Sequence, residues 1–156
     1  MGIASRLQRY LEEHGIQHDV TEHRKTSTSA STAGVSHISP DRLAKGVVVK
    51  HEKGYMLVVV PASRHVELKV LGRWLKRPVT LAGEEETIGL FPDCEEGAIP
   101  PVGAAYGLST AVDESLDRQQ EIYLEGGDHR TLVRLSGGEF RRLMETAPHQ
   151  RFSTAL

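Results

Sequence analysis

Apolar residues recur at helical spacing at the start of the chain, at Ile3, Leu7, Tyr10 and Leu11, and Gly15 stands where a helix C-terminal cap belongs. The spacing predicts an amphipathic helix over residues 3–14. QHDVTEH reads as a short strand. The small, hydroxyl-rich TSTSASTAGVSHISPD predicts a short helix capped by Ser27 or Ser29 and ending at Gly34. Two apolar runs in LAKGVVVKHEKGYMLVVVPA, around Glu52-Lys53-Gly54, predict a β-hairpin with its second strand ended by Pro61. Val66, Leu68, Leu71, Trp74 and Leu75 mark a helix, and Glu84 to Leu90 a shorter one. Leu108–Val112, Glu121–Leu124 and Thr131–Leu135 are strand candidates. Ser136-Gly-Gly-Glu139 has the capping-box pattern, and Phe140, Leu143 and Met144 give a closing helix its apolar face.

No repeat or linker interrupts this order, which predicts one domain over residues 1–147 and a loose tail over 148–156. Helices mixed among mostly hairpin-connected strands predict an α+β fold rather than βαβ alternation. At 156 residues the chain can bury a sizeable core, and 38% hydrophobic with 26% charged residues describes a globular protein rather than a disordered one. No apolar run approaches the ~20 residues of a membrane helix, and the N-terminus lacks the apolar segment of a secretory signal. A single cysteine, Cys94, fits a reducing compartment. A cytoplasmic protein without a membrane partner is expected. The net charge of -2 argues against non-specific coating of nucleic acid, though not against local phosphate contacts.

Familiar catalytic patterns fail one by one. His14 and His18 stand four residues apart, but Gly15 ends the helix that would bring them together. The other histidines share no ligand spacing with each other or with Cys94, so no metal site is expected. GLST is not a nucleophile elbow, no Gly-rich phosphate loop is present, and the acidic neighbours of Cys94 blunt it as a nucleophile. Four features carry more weight. Lys45 shares a strand face with Val47 and Val49, while Lys50 lies on the opposite face. Lys45 therefore either points to the interior edge of the sheet or reaches water at the strand mouth. Asp113, at a strand end, is a partner-orienting acid or a turn former. His129, after Gly126-Gly127-Asp128, lines a pocket or sits solvated in a turn. The loop EEGAIPPVGAAYG, residues 95–107, is stiffened by Pro100 and Pro101 and stripped of side chains by its glycines. It suits either a backbone grip on a polar ligand or a rigid crossover.

Taken in order, A-K-G-V-V-V-K, G-Y-M-L-V-V-V-P-A, E-E-G-A-I-P-P-V-G, A-V-D-E-S-L and G-G-D-H-R-T-L-V-R-L resemble the YbaK/prolyl-tRNA-synthetase-associated family from about Thr28 to Leu143. Gly97 to Pro101 matches the family's G-x-x-x-P loop and Lys45 its strand-borne lysine. Gly46 and the additional proline Pro100 are local variations.

The resemblance implies a mixed, barrel-like β-sheet with flanking helices. It implies hydrolysis of the ester of a mischarged aminoacyl-tRNA in trans, without metal or organic cofactor. It further implies catalytic roles for Lys45 and for the backbone of Gly97, Ala98 and Ile99. Val47, Val49, Pro100, Pro101, Asp113 and His129 would contact substrate. The partners implied are the acceptor end of mischarged tRNA and an aminoacyl-tRNA synthetase. A non-catalytic binding module of the same fold is the alternative, and hydrolysis of a small ester a second.

Overall fold

A computed structural model describes residues 2–26 and 28–156. Chain order is α1 (Ser5–Glu13), β1 (Asp19–Glu22), α2 (Ser29–Ser36), β2 (Leu43–His51), β3 (Gly54–Pro61), β4 (Arg64–Val66), α3 (Leu68–Leu75), β5 (Thr80–Leu81) and α4 (Glu84–Leu90). There follow β6 (Ser109–Asp113), β7 (Glu121–Glu125), β8 (Thr131–Ser136), α5 (Gly137–Leu143), β9 (His149–Gln150) and β10 (Ser153–Ala155), with 3-10 turns between several of them. The main sheet is mixed, in the order β1-β8-β7-β2-β3-β6-β9, and β5 adds to β2. The expected α+β architecture with flanking helices is what the chain adopts.

β3 lies between β2 and β6 and is buried on both faces. Leu57 and Val59 enter the larger core with α1, α5 and the 95–107 loop; Met56, Val58 and Val60 enter a second core under α3. That double burial explains why this strand reads as an unbroken apolar run instead of an alternating one. The hairpin register pairs Lys45 with Val60 and His51 with Gly54, and Gly54 takes φ 128° in the turn.

Local chemistry sets the helix ends. At the end of α1, Gly15 has φ 60°, its N–H donates to the Glu12 carbonyl and the Ile16 N–H to the Leu11 carbonyl. These are the two bonds of a Schellman cap. At α5 the Ser136 hydroxyl accepts from the Glu139 N–H, while the Glu139 carboxylate reaches Arg142, so only half of the capping box forms. α2 departs from expectation: Thr28 caps it, Ser29 is its first residue, and it runs past Gly34 to Ser36. The Ser27 cap lies outside the described residues. Val66 belongs to β4 and not to α3.

The C-terminal segment also corrects the sequence reading. β9 pairs with β6, β10 pairs with β4, and Phe152 between them is 1% exposed beneath α3. The Asp113 carboxylate accepts from the Phe152 N–H at 2.9 Å and from the Ser115 N–H and hydroxyl. One aromatic ring inside a polar segment is too little periodicity to announce an element; it is ordered by long-range pairing. Phe152→Ala is expected to destabilise the fold by about 3–5 kcal/mol in urea unfolding, the cost of emptying a buried aromatic site. A loss below about 1 kcal/mol would mean that the segment is only loosely docked.

Candidate active site

The cleft arises where β2 changes partners on its outer edge. β7 pairs with Leu43 and Ala44, and β5 with Val49 and Lys50, so neither ladder reaches the residues between. The Leu43 carbonyl accepts from Ala62 N on the β3 side and the Val48 carbonyl from Ala82 N on the β5 side. By alternation the peptide groups of Gly46 face the unpaired edge. A cleft of about 560 Å³ opens there. It is walled by Gly46–Val48, by Leu81 and Ala82, by α4 and by the start of the 95–107 loop, and His129 lines it too.

Gly46 sets how closely the loop approaches the strand. A Cβ at this position would lie 2.9 Å from Leu57 Cδ1, 3.4 Å from Pro101 Cα and 3.5 Å from Ile99 Cδ1. The missing side chain is what lets the loop backbone rest against β2. On the other wall, Glu86 holds the start of α4. Its carboxylate accepts from the Gly83 N–H at 2.9 Å, from Lys50 Nζ at 3.0 Å and from the Tyr55 hydroxyl. Those bonds, that from Tyr55 foremost, lower its pKa to about 2.

Within the loop, the Ala98 N–H donates to the Glu95 carbonyl at 3.1 Å and Gly97 has φ 80°. An i to i+3 bond with positive φ at the third residue is the signature of a type II turn and requires glycine there. The central peptide of that turn, Glu96–Gly97, is held from outside. His129 Nε2 bonds the Glu96 carbonyl, and the Glu95 N–H donates to the Gly127 carbonyl at 2.7 Å. A carbonyl oxygen can only accept, so His129 Nε2 is the donor in this contact. In a trans peptide C=O and N–H point opposite ways, so gripping the Glu96 carbonyl turns the Gly97 N–H away from His129. Among the described residues the N–H groups of Glu96, Gly97 and Ile99 have no intramolecular acceptor.

Asp128 makes the His129 position possible. Its carboxylate accepts from the Arg130 N–H, the Thr131 N–H and the Thr131 hydroxyl at 2.8–3.0 Å, shaping the β7–β8 turn in which His129 takes φ 60°. His129 is buried, which settles the sequence-level choice against a solvated turn residue.

Of the residues singled out from sequence, Val47, Gly97, Ile99 and His129 line this one cleft. Others do not. The Ala98 N–H is already bonded within the turn and its side chain is in the interior, so Ala98 has no free amide to offer. Val49 is fully buried under α3, on the face opposite Val48. Pro100 and Pro101 are buried and act by packing; Asp113 is committed to Ser115 and Phe152. Cys94 lines the cleft, but burial foremost pushes its thiol up to about 12, so it is no nucleophile.

Lys45 is not among the lining residues. It is half-buried on β2 immediately before Gly46, forms no ion pair among the described residues, and burial lowers its pKa.

Sequence reasoning missed Glu125. It ends β7, one place beyond the Ala44–Leu124 pair, where β7 parts from β2. Glu125 is 2% exposed and neither carboxylate oxygen has a hydrogen-bond partner among the described residues. Burial foremost pushes its pKa from 4.5 up to about 7; the Thr32 hydroxyl lies near enough to offset this in part without completing a hydrogen bond, and the Asp128 charge reinforces it. Only an acid at the end of a strand pattern, at an inward position, hints at it in the sequence.

The raised value has a signed consequence. Between pH 4.5 and about 7 the folded chain holds a proton at Glu125 that the unfolded chain has lost. Stability through this group therefore falls as pH rises across that window, by up to about 3 kcal/mol. Glu125→Gln is expected to abolish this loss: urea unfolding should find the variant more stable than wild type at about pH 8 and little different at about pH 4. An unchanged difference at the two pH values would show that the carboxyl is not buried in the way described.

The comparisons with known proteins agree with this geometry. No curated protein sequence matches the chain. A solved structure of a proposed trans-editing enzyme for prolyl tRNA synthetase is 28% identical, covers 96% of each chain and superposes with a TM-score of 0.84. A scaffold protein for computational grafting of linear epitopes is 27% identical over 97% of each chain, with a TM-score of 0.85. A hypothetical protein of 22% identity, covering 96% of this chain and 100% of that one, has the same fold at a TM-score of 0.86. The family model for the aminoacyl-tRNA editing domain matches residues 23–143, which bracket the cleft, its loop and the His129 turn, and the chain belongs to that family.

Proposed function

We propose that this protein removes the amino acid from mischarged tRNA by hydrolysing the ester that joins it to the terminal adenosine. The observation that carries the reading is the Glu96–Gly97 peptide. A glycine-requiring turn and the His129 contact hold it with its Gly97 N–H unsatisfied beside the cleft. Ester hydrolysis places negative charge on the carbonyl oxygen in the transition state, and a donor fixed in advance stabilises that charge without reorganising. The Gly97 N–H takes this role, with Ile99 as the second donor.

In the reaction, water adds to the ester carbonyl carbon. The bond from that carbon to the ribose oxygen then breaks, and the ribose oxygen takes up a proton. Free amino acid and a tRNA with its terminal hydroxyl restored are the products. Lys45 anchors the terminal nucleotide or the substrate carbonyl from the edge of the cleft. The neighbouring ribose hydroxyl assists the water.

The cleft's charge and surface suit the substrate. Glu84, Glu95 and Glu96 line it, which favours the free α-ammonium of an aminoacyl ester. Lys25 covers one of these acids, bonding Glu95 at 2.9 Å. Leu81 and Ile88, 56% and 43% exposed, present apolar surface for the terminal base. Val47 and Ile99 bound the space for the amino acid side chain. Such a sieve is needed because one methylene is worth only ~1–3 kcal/mol to a synthetase.

A panel of mischarged tRNAs, crossed amino acid by tRNA, tests the activity. Released amino acid supports the deacylase, and tight binding without release would make the protein a binding module. Lys45→Ala is expected to lower turnover steeply with the melting temperature preserved. Lys53→Ala is the control, because Lys50 belongs to the Glu86 network that holds α4. Equal losses for the Lys45 and Lys53 variants, both folded, would remove Lys45 from the site.

Gly97→Val should cost about a hundredfold to a thousandfold in rate, the usual effect of losing one oxyanion donor. Gly89→Ala, whose Cβ would meet nothing within 4 Å, should leave the rate near wild type. His129→Ala should lower turnover in the same direction as Gly97→Val, since it frees the peptide that carries the donor. Wild-type turnover for Gly97→Val would reduce the loop to a structural crossover.

A further inference from the structure

The chain's charges are segregated by segment. Residues 51–79 carry six cations, Lys53, Arg64, Lys69, Arg73, Lys76 and Arg77, against two acids, Glu52 and Glu67. Residues 84–96 carry six acids and no cation. The second segment walls the cleft. The first contains α3, and four of its cations gather at one place.

Lys69, Arg73, Lys76 and Arg77 rim a shallow groove of about 620 Å³ between α3 and Pro78–Val79. Gly72 lets the 77–79 segment approach α3 closely: a Cβ there would sit 3.0 Å from the Arg77 carbonyl oxygen and 3.9 Å from Pro78 Cα. None of the four cations forms an ion pair among the described residues. Arg77 touches only the ring of His51, at 3.4 Å. The helix dipole explains part of the cluster, since Arg73 is in the last turn of α3 and Lys76 is its C-cap. It does not explain Lys69, which lies in the first turn, where a cation opposes the dipole.

Groove and cleft share a wall. Val79 lines the groove, Thr80–Leu81 is β5, and Leu81 and Ala82 line the cleft. At about 3.3 Å per residue the two sites are roughly 10 Å apart along this segment. A polyanion whose end enters the cleft is repelled by Glu84 and Glu96, the lining acids that form no ion pair among the described residues. Its low-energy exit runs over β5 toward the unpaired cations.

We propose that the α3 groove docks the phosphate backbone of the tRNA acceptor strand while the aminoacylated end occupies the cleft; this rests on the deacylase reading above. Long flexible cations in a shallow groove suit phosphates, which they neutralise without reading sequence. The groove therefore supplies affinity for tRNA and leaves the choice of amino acid to the cleft.

The test compares wild type with the Lys69→Gln/Arg73→Gln/Lys76→Gln/Arg77→Gln variant. Arg9→Gln/Arg42→Gln/Arg118→Gln/Arg151→Gln, changed at four exposed cations elsewhere, controls for net charge. Substrates are mischarged tRNA and the corresponding aminoacyl-adenosine, which has no phosphate. The quadruple variant is expected to raise KM for the tRNA about tenfold or more, with kcat and turnover of aminoacyl-adenosine at wild-type values. The slope of log KM against log salt should become shallower by roughly 0.7–0.9 for each phosphate no longer neutralised.

Unchanged tRNA KM and salt slope in an active quadruple variant would overturn the proposal. So would an equal loss on aminoacyl-adenosine, which would mean altered structure, or a loss that appears only when a synthetase is added, which would assign the groove to a protein partner. Binding of uncharged tRNA, followed by fluorescence anisotropy, separates this proposal from the deacylase reading. If wild type hydrolyses nothing but binds tRNA through these four residues, the activity falls and the docking surface stands. If wild type hydrolyses mischarged tRNA and binds it independently of them, the reverse holds.

Discussion

Strand β2 has one edge for β3 along its whole length and must divide the other between β7 and β5. β7 runs parallel to it and stays only for Leu43 and Ala44; β5 runs antiparallel and takes Val49 and Lys50. The residues between carry backbone polar groups that no strand satisfies, and such an edge is normally covered or blunted. Here the 95–107 loop and α4 wall it in without closing it. The cleft is thus a property of strand pairing first and of side chains second. The same parting of β2 from β7 leaves Glu125, the last residue of β7, without a ladder partner on β2.

The loop over this gap is held at three levels. Its prolines restrict the backbone and pack inward, and the glycine turn orients one peptide unit. His129 and Gly127, from the β7–β8 turn, then fix that turn to the sheet. Gly46 completes the arrangement from below by offering no side chain. The Asp128 carboxylate acts at one remove, holding the turn in which His129 can adopt a left-handed backbone. The groups this arrangement presents are backbone amides, whose chemistry does not titrate.

A carboxyl as buried as that of Glu125 opposes folding at neutral pH. Glu86 shows the opposite regime: three donors hold it ionised and turn it into a bracket for α4. Two glutamates differ by about five pH units because one is held by three donors and the other is desolvated with little to offset it.

The sequence by itself determined the hairpin of β2 and β3, the α4 span and the three later strands to within a residue or two, because period and turn chemistry are local. It also marked Gly97 and His129, through a motif order that survives without knowledge of packing. Tertiary structure alone decided which edge of β2 is left open, how the Glu96–Gly97 peptide is turned, and that Asp113 serves Phe152. Those outcomes depend on partners far along the chain, as the His129 grip on Glu96 does. A hydrogen-bond direction or a strand's second partner leaves no periodic trace in the chain that makes it.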